Sequence, residues 1–263
     1  VTPSEGARGG TGRQLEMESV LALRGLVLLR DSVEWEGRSL LKALIKKAAL
    51  GGEQVHILGC EVSEEEFRAG FDSSINSRLV YYDLFRDPLN WAQTGEAHPG
   101  GPLGALQAMC KRTDPGPVTV ALDSLSWLLL RLPCAALCQA LCAMSRQHAC
   151  PEQLCVLGLL HRELHGPGPT GALSSLAQTE VTLGGTAGQA SAHILCRRPR
   201  QRPTLETLWF SVLPDLSLDL QGGPPLESQP HPDPHTPQVS RRPGRKRGAG
   251  ETGNCRGWGW GQG

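Results

Sequence analysis

Residues 26–44, LVLLRDSVEWEGRSLLKAL, limit the possible folds more than any other stretch of the chain. The apolar run over 26–29 has the length of a strand, and a polar turn follows it. Leu40, Leu41, Leu44, Ile45 and Ala48 then recur at helical spacing, with Lys42, Lys46 and Lys47 between them. Gly51-Gly52 supplies the stop, and a second strand is expected at 54–58. Strand, helix and strand within about 33 residues make one βαβ unit, which commits the chain to parallel neighbours in a sheet.

A strand, a turn and a helix N-terminus are also the layout of a phosphate-binding loop. Its pattern, G-x-x-x-x-G-K-S/T, falls here on Ser32-Val33-Glu34-Trp35-Glu36-Gly37-Arg38-Ser39, so the first glycine and the lysine are both replaced. Ser32 and Trp35 crowd a turn that works by close backbone approach, and Glu34 and Glu36 put negative charge where phosphates would sit. A like-charge contact at about 4 Å costs about 4 kcal/mol at an effective dielectric of 20, which cancels most of what Arg38 returns. The loop is therefore expected to connect strand to helix and no longer to hold a nucleotide.

The α/β rhythm continues. Ser63, with Glu66 three residues later, makes a capping box for a short helix, and 79–85 reads as a third strand ended by Asp87-Pro88. Residues 90–104 read as a surface loop, 103–112 as a helix, 118–122 as a fully apolar strand, 125–147 as a helical region with Pro133 at a first turn or kink, and 153–160 as the fifth strand. After a Gly/Pro loop at 166–171, strands at 179–183, 192–196 and 209–213 lie too close together for helices between them and should pair antiparallel. A mostly parallel sheet flanked by helices, with antiparallel edge strands at its C-terminal end, is the expected architecture.

Residues 1–14 are expected to be disordered, with a short helix at 15–23 and the folded domain over 15–220. From Gln221 onward 17 of 43 residues are Gly or Pro, too few of the rest apolar to offset ordering entropy, so 221–263 is expected to be a disordered tail. The formal charge is zero overall, but 1–220 carries 20 basic and 23 acidic side chains and the tail 6 and 3. No global field marks the body as a nucleic-acid binder. Nine cysteines without the spacing of a secreted disulfide scaffold imply a reducing compartment, cytosol or nucleus, and Glu16, Glu18 and Arg24 interrupt the apolar stretch at 15–29, leaving neither a signal core nor a membrane span.

Other groupings carry weaker chemistry. Asp123-Ser124 ends an apolar strand, where a nucleotide-binding fold would hold magnesium; with the partner loop damaged, capping of the next helix by Asp123 or Ser124 is the favoured reading. Glu61 and Glu64-Glu65-Glu66 read as helix-start charges. Cys134, Cys138 and Cys142 line one helix face as apolar packing, not an iron–sulfur motif, and Cys142, His148, Cys150 and Cys155 lack the paired knuckles of a zinc site. His161 and His165 stand at a strand end and read as polar caps. The run SRRPGRKRG at 240–248 has the form of a nuclear-localisation or polyanion patch, with Trp258 and Trp260 nearby to stack on RNA.

The stretches GLVLLRDSVEWEGRSLLKALIKKAALGGEQVHILGCEVSEEEF, RDPLNW, VTVALDSLSWLLLRLP, LGLLHRELHGPGP, SLAQTEVTLGG and ASAHILCRRPRQRPT resemble a mammalian subunit family of the Elongator complex. The likeness covers about residues 2–238; from Val239 onward a basic, Gly/Trp-rich sequence stands where that family continues into further chain ending in an acidic tail, which looks like an alternative or out-of-frame C-terminus. The resemblance implies a RecA-like fold without a working phosphate-binding loop. It implies assembly with two siblings, Elongator complex proteins 4 and 6, into a hexameric ring that supports carboxymethyl-type modification of the tRNA wobble uridine. The radical and acetyl-CoA chemistry resides in the third subunit of the core, so this chain would be a noncatalytic structural subunit of cytoplasm and nucleus, meeting tRNA through the assembly and no membrane. It assigns no catalytic, cofactor-binding or metal-binding residue and no cofactor. Two alternatives remain open: an independent nucleotide hydrolase that uses Arg38, and an RNA-binding module that acts through the tail at 239–263.

Overall fold

The computed structural model describes residues 23–87, 100–110, 116–147, 153–186 and 188–221, all within the unit Val1–Pro225. Residues 15–22 of the helix expected at 15–23, the termini expected to be disordered apart from Gln221, and much of the expected 90–104 loop lie outside these residues. The first βαβ unit forms as the apolar spacing requires: β1 (Gly25–Asp31), α1 (Arg38–Leu50) and β2 (Gln54–Gly59). Two short helices, α2 (Glu64–Arg68) and α3 (Ser73–Asn76), each begin at a capping side chain; Ser63 accepts from the Glu66 amide and Asp72 from the Ile75 amide. β3 (Leu79–Asp83), α4 (Gly101–Cys110), β4 (Val118–Leu122), α5 (Leu125–Arg131), α6 (Cys134–Gln147) and β5 (Leu154–His161) follow.

These strands and the next, β6 (Thr179–Thr186), lie parallel in the order β3-β2-β4-β5-β1-β6. β7 (Gln189–Cys196), β8 (Thr204–Val212) and β9 (Leu218–Gln221) extend the sheet antiparallel to nine strands. The continuous apolar runs of the central strands serve two faces at once. In β1, Val27 and Leu29 face the core under α1, α2 and α3, while Leu26 and Leu28 face the core under α4–α6 and the helix that precedes β6.

Several expectations need correction. The stretch expected to be a Gly/Pro loop at 166–171 opens α7 (Pro167–Leu176). First-turn amides have no partner within a helix, so Pro167 costs α7 nothing, and Leu173 is fully buried against the sheet. The 125–147 region is two helices; Leu132, ahead of Pro133, is pushed into extended backbone, and the Pro133 carbonyl starts α6 by accepting from Ala136 and Leu137. The helix expected from 103 starts at Gly101. The strand expected at 179–183 pairs antiparallel with β7 as foreseen, and its other edge is parallel to β1. β9 was not anticipated; only Leu218 and Leu220 alternate inward along its four residues.

Candidate functional site

The C-terminal ends of β1, β2, β4 and β5 gather the groups that an α/β nucleotide site would use. β5 lies between β1 and β4, so His161 at its end stands between the replaced phosphate loop and Asp123. The loop closes as a tight turn, with reciprocal backbone hydrogen bonds of 3.1 Å between Ser32 and Trp35. The Trp35 ring lies so close over Gly185 that a methyl group there would come within 2.5 Å of it.

At the head of α1 the three amides that a phosphate would need are all engaged by the chain's own carboxylates. Gly37 donates to Asp31 Oδ2 at 3.0 Å, Arg38 to Glu36 Oε1 at 2.5 Å and Ser39 to Glu36 Oε2 at 3.3 Å. The Ser39 hydroxyl also donates to Glu36, at 3.1 Å. Arg38 turns its guanidinium to Glu61 at 2.9 Å. His161 bridges the strand ends, its Nδ1 2.8 Å from Asp31 and its Nε2 3.1 Å from Glu61. Asp123 accepts from the Cys60 amide at 2.8 Å and from the Glu61 amide at 3.0 Å.

The electrostatics follow from this pairing. Hydrogen bonds to Asp31 and Glu61 raise the His161 imidazole to about 10, so it is a cation between two carboxylates. Burial pushes Glu61 upward, but its bonds to His161 and Ser124 outweigh that and leave it below the ordinary carboxylate value. Burial lifts Asp123 to about 6 against the pull of the Glu61 and Cys60 amides. In this arrangement the amides of Gly37, Arg38 and Ser39 are bonded to Asp31 and Glu36, and the Arg38 guanidinium, the cation at the head of the helix, is paired with Glu61.

The expected capping role divides between neighbours. Ser124 caps α5 by accepting from the Trp127 amide at 2.9 Å, whereas Asp123 binds amides across the sheet at the end of β2. Glu61, read from the sequence as a helix-start charge, stands ahead of the Ser63 cap and joins His161 to Arg38. Asp31 had no motif to mark it, although a carboxylate at the end of a strand, two residues past an apolar run, was a signal available. His161 is more than a polar cap, since it connects two strand ends, while His165 lies beside it with its pKa lowered by burial and by the His161 charge.

Of the cysteine stripe, Cys138 packs against the core, its sulfur 3.9 Å from that of Cys134, while Cys134 and Cys142 are half-buried outside it. Cys155 belongs to the core under α1, on the opposite sheet face from α6 and Cys142, and His148 and Cys150 lie outside the described residues. Among the described residues no group of three or more His, Cys, Asp or Glu could hold a metal ion, and no helix is long and apolar enough to cross a membrane. The basic run at 240–248 is outside them.

Comparison with solved structures gives the flagellar accessory protein FlaH of Methanocaldococcus jannaschii, with TM-score 0.54 and 11% identity over 79% of this chain and 96% of that one. A KaiC-like protein of Pyrococcus horikoshii has TM-score 0.52 and 14% identity over 75% and 90%. The fold is RecA-like, as the sheet order and flanking helices indicate. Human Elongator complex protein 5 is 77% identical over 229 residues, covering 85% of this chain and 76% of that protein, and the zebrafish protein is 30% identical over 221 residues, 80% and 71%. The family model described as Elongator subunit Iki1 matches residues 17–219. With its fold, its sequence relatives and this family match in agreement, the chain belongs to the Elongator complex protein 5 (Iki1) family of Elongator subunits.

Proposed function

We propose that this chain is a noncatalytic structural subunit of Elongator, which joins two RecA-like siblings, Elongator complex proteins 4 and 6, in a hexameric ring that supports carboxymethyl-type modification of the tRNA wobble uridine. The observation that carries the noncatalytic part is the self-occupied phosphate cradle, in which Asp31 and Glu36 engage the amides of Gly37, Arg38 and Ser39. Membership of the Elongator subunit family supports the assembly part. Cytosol and nucleus are the proposed compartments, in keeping with the free thiols of Cys60, Cys134, Cys138, Cys142, Cys155 and Cys196.

Native mass spectrometry of the chain co-expressed with both siblings tests the assembly, and a hetero-oligomeric ring is the expected species. A lone monomer in the presence of both partners contradicts it. Calorimetric titration with magnesium-ATP tests the noncatalytic part. No saturable heat is expected, and magnesium-dependent binding that disappears in Arg38→Ala would restore the hydrolase reading.

A further inference from the structure

Cys134, Cys138 and Cys142 recur every four residues along α6, so the helical repeat aligns them on one face. The first two are in contact: their sulfurs lie 3.9 Å apart, both thiols are free and both side chains are half-buried. Leu137 and Leu141, three residues on from each, are buried and hold α6 on the sheet, and Cys138 itself packs against that core. The pair therefore sits on a packed helix, and neither sulfur depends on a loop for its position.

This geometry selects among the reactions open to two thiols. A disulfide needs Cβ atoms about 3.5–4.5 Å apart, whereas residues four apart on a helix hold theirs at about 5–6 Å, so a direct S–S bond requires α6 to unwind locally. A zinc ion needs four donors, and among the described residues no group of three or more His, Cys, Asp or Glu could hold a metal ion. Two thiolates around a monovalent metal would leave a net negative charge on a half-buried, largely apolar face, which desolvation opposes. A ligand that joins both sulfurs through one atom and gives a neutral product meets none of these objections. One atom bonded to each sulfur at about 2.3 Å, the length of a zinc–thiolate bond, spans the observed gap with the backbone in place.

Burial first, and then the hydrogen bond with Cys134, push the Cys138 thiol up to about 11. It is thus a neutral thiol at pH 7 and a weak nucleophile toward reagents that attack one sulfur at a time. Chelation differs, because the second sulfur is already in place when the first has bonded and the second step is intramolecular.

We propose that Cys134 and Cys138 form a dithiol binding site for trivalent arsenicals, which in water are R–As(OH)2. Two S–H and two As–O bonds break, two S–As and two O–H bonds form, and two waters leave. Arsenic stays trivalent, so no oxidant or reductant takes part, and the product is uncharged. The site is independent of ring formation and of the strand-end charge network, since α6 covers the sheet face opposite α1.

Phenylarsine oxide, R–As=O before hydration, is the probe, added in equimolar amount to the full chain in excess glutathione, a monothiol that removes singly bonded arsenic. Intact mass spectrometry should show one adduct with the mass of the anhydrous probe less one water, and peptide mapping should place it on the segment that holds Cys134 and Cys138. C134A and C138A should each reduce the retained adduct by about tenfold or more, the loss expected when chelation becomes a single bond. C142A should leave it unchanged, and dithiothreitol, a competing dithiol, should release it. Cys138 packs on the core, so if C138A folds poorly then C134A, which removes a sulfur outside that core, decides the outcome. No adduct in glutathione, an adduct that persists in C134A/C138A, or one that C142A alone abolishes overturns the proposal.

Discussion

At the scale of single residues, the strand ends are cross-linked by charge. Asp31, His161, Glu61 and Arg38 form a chain in which each link is 2.8–3.1 Å, and Asp123 pins the end of β2 through two amides. Asp123→Ala should cost about 2 kcal/mol, because it leaves buried amides without an acceptor, and urea unfolding at pH 7 measures it. His161 sets a pH dependence whose sign is fixed by its raised folded value. Its contribution is complete below the unfolded pKa near 6.5 and fades as pH rises through about 10. His161→Gln should therefore lose about 2 kcal/mol at pH 6 and differ little from wild type at pH 10.5, read from denaturation midpoints at both values. The register of the loop made Glu36, Arg38 and Ser39 legible from the sequence. Glu61 and His161 were not legible as a pair, since 100 residues separate them and only the sheet order brings them together.

At the scale of elements, periodicity told most where apolar residues had one or two faces to fill. α1 and the central parallel strands stand close to where spacing put them, because buried leucines at helical or strand period have no other low-energy arrangement. α7 escaped because proline and glycine were weighed as breakers, although in the first turn a missing amide hydrogen costs nothing. β9 escaped because four residues at a sheet edge carry too little alternation to be distinguished from loop. A close contact tests the packing of α5 on β5. A methyl group at Gly158 would come 2.5 Å from Leu125 Cδ1, and Leu125 is fully buried. Gly158→Ala should lower stability by about 1–3 kcal/mol with an unchanged denaturant slope. Ser63→Ala, which removes the α2 cap, should cost about 1 kcal/mol, seen as a smaller shift of the same midpoint.

At the scale of the whole molecule, two apolar layers enclose the parallel half of the sheet, and the antiparallel strands prolong only the layer that contains α1. An Elongator subunit bound by its siblings should gain apparent stability by mass action, about 2.7 kcal/mol when free partner exceeds Kd a hundredfold. Differential scanning fluorimetry should show the co-purified complex melting several degrees above the lone chain, and coincident melts would mean that the partners do not engage the native state. The central place of β1 has a further consequence, for synthesis. Its hydrogen-bonding neighbours are β5 and β6, and its pairing with β5 joins residues 130 positions apart. At 5–20 residues per second the ribosome makes that interval in roughly 6–26 s. For that time the nascent chain carries an apolar segment whose native partners do not yet exist, so β1, made before every other described strand, is among the last to be locked, and chaperone occupancy should peak before β5 emerges from the exit tunnel.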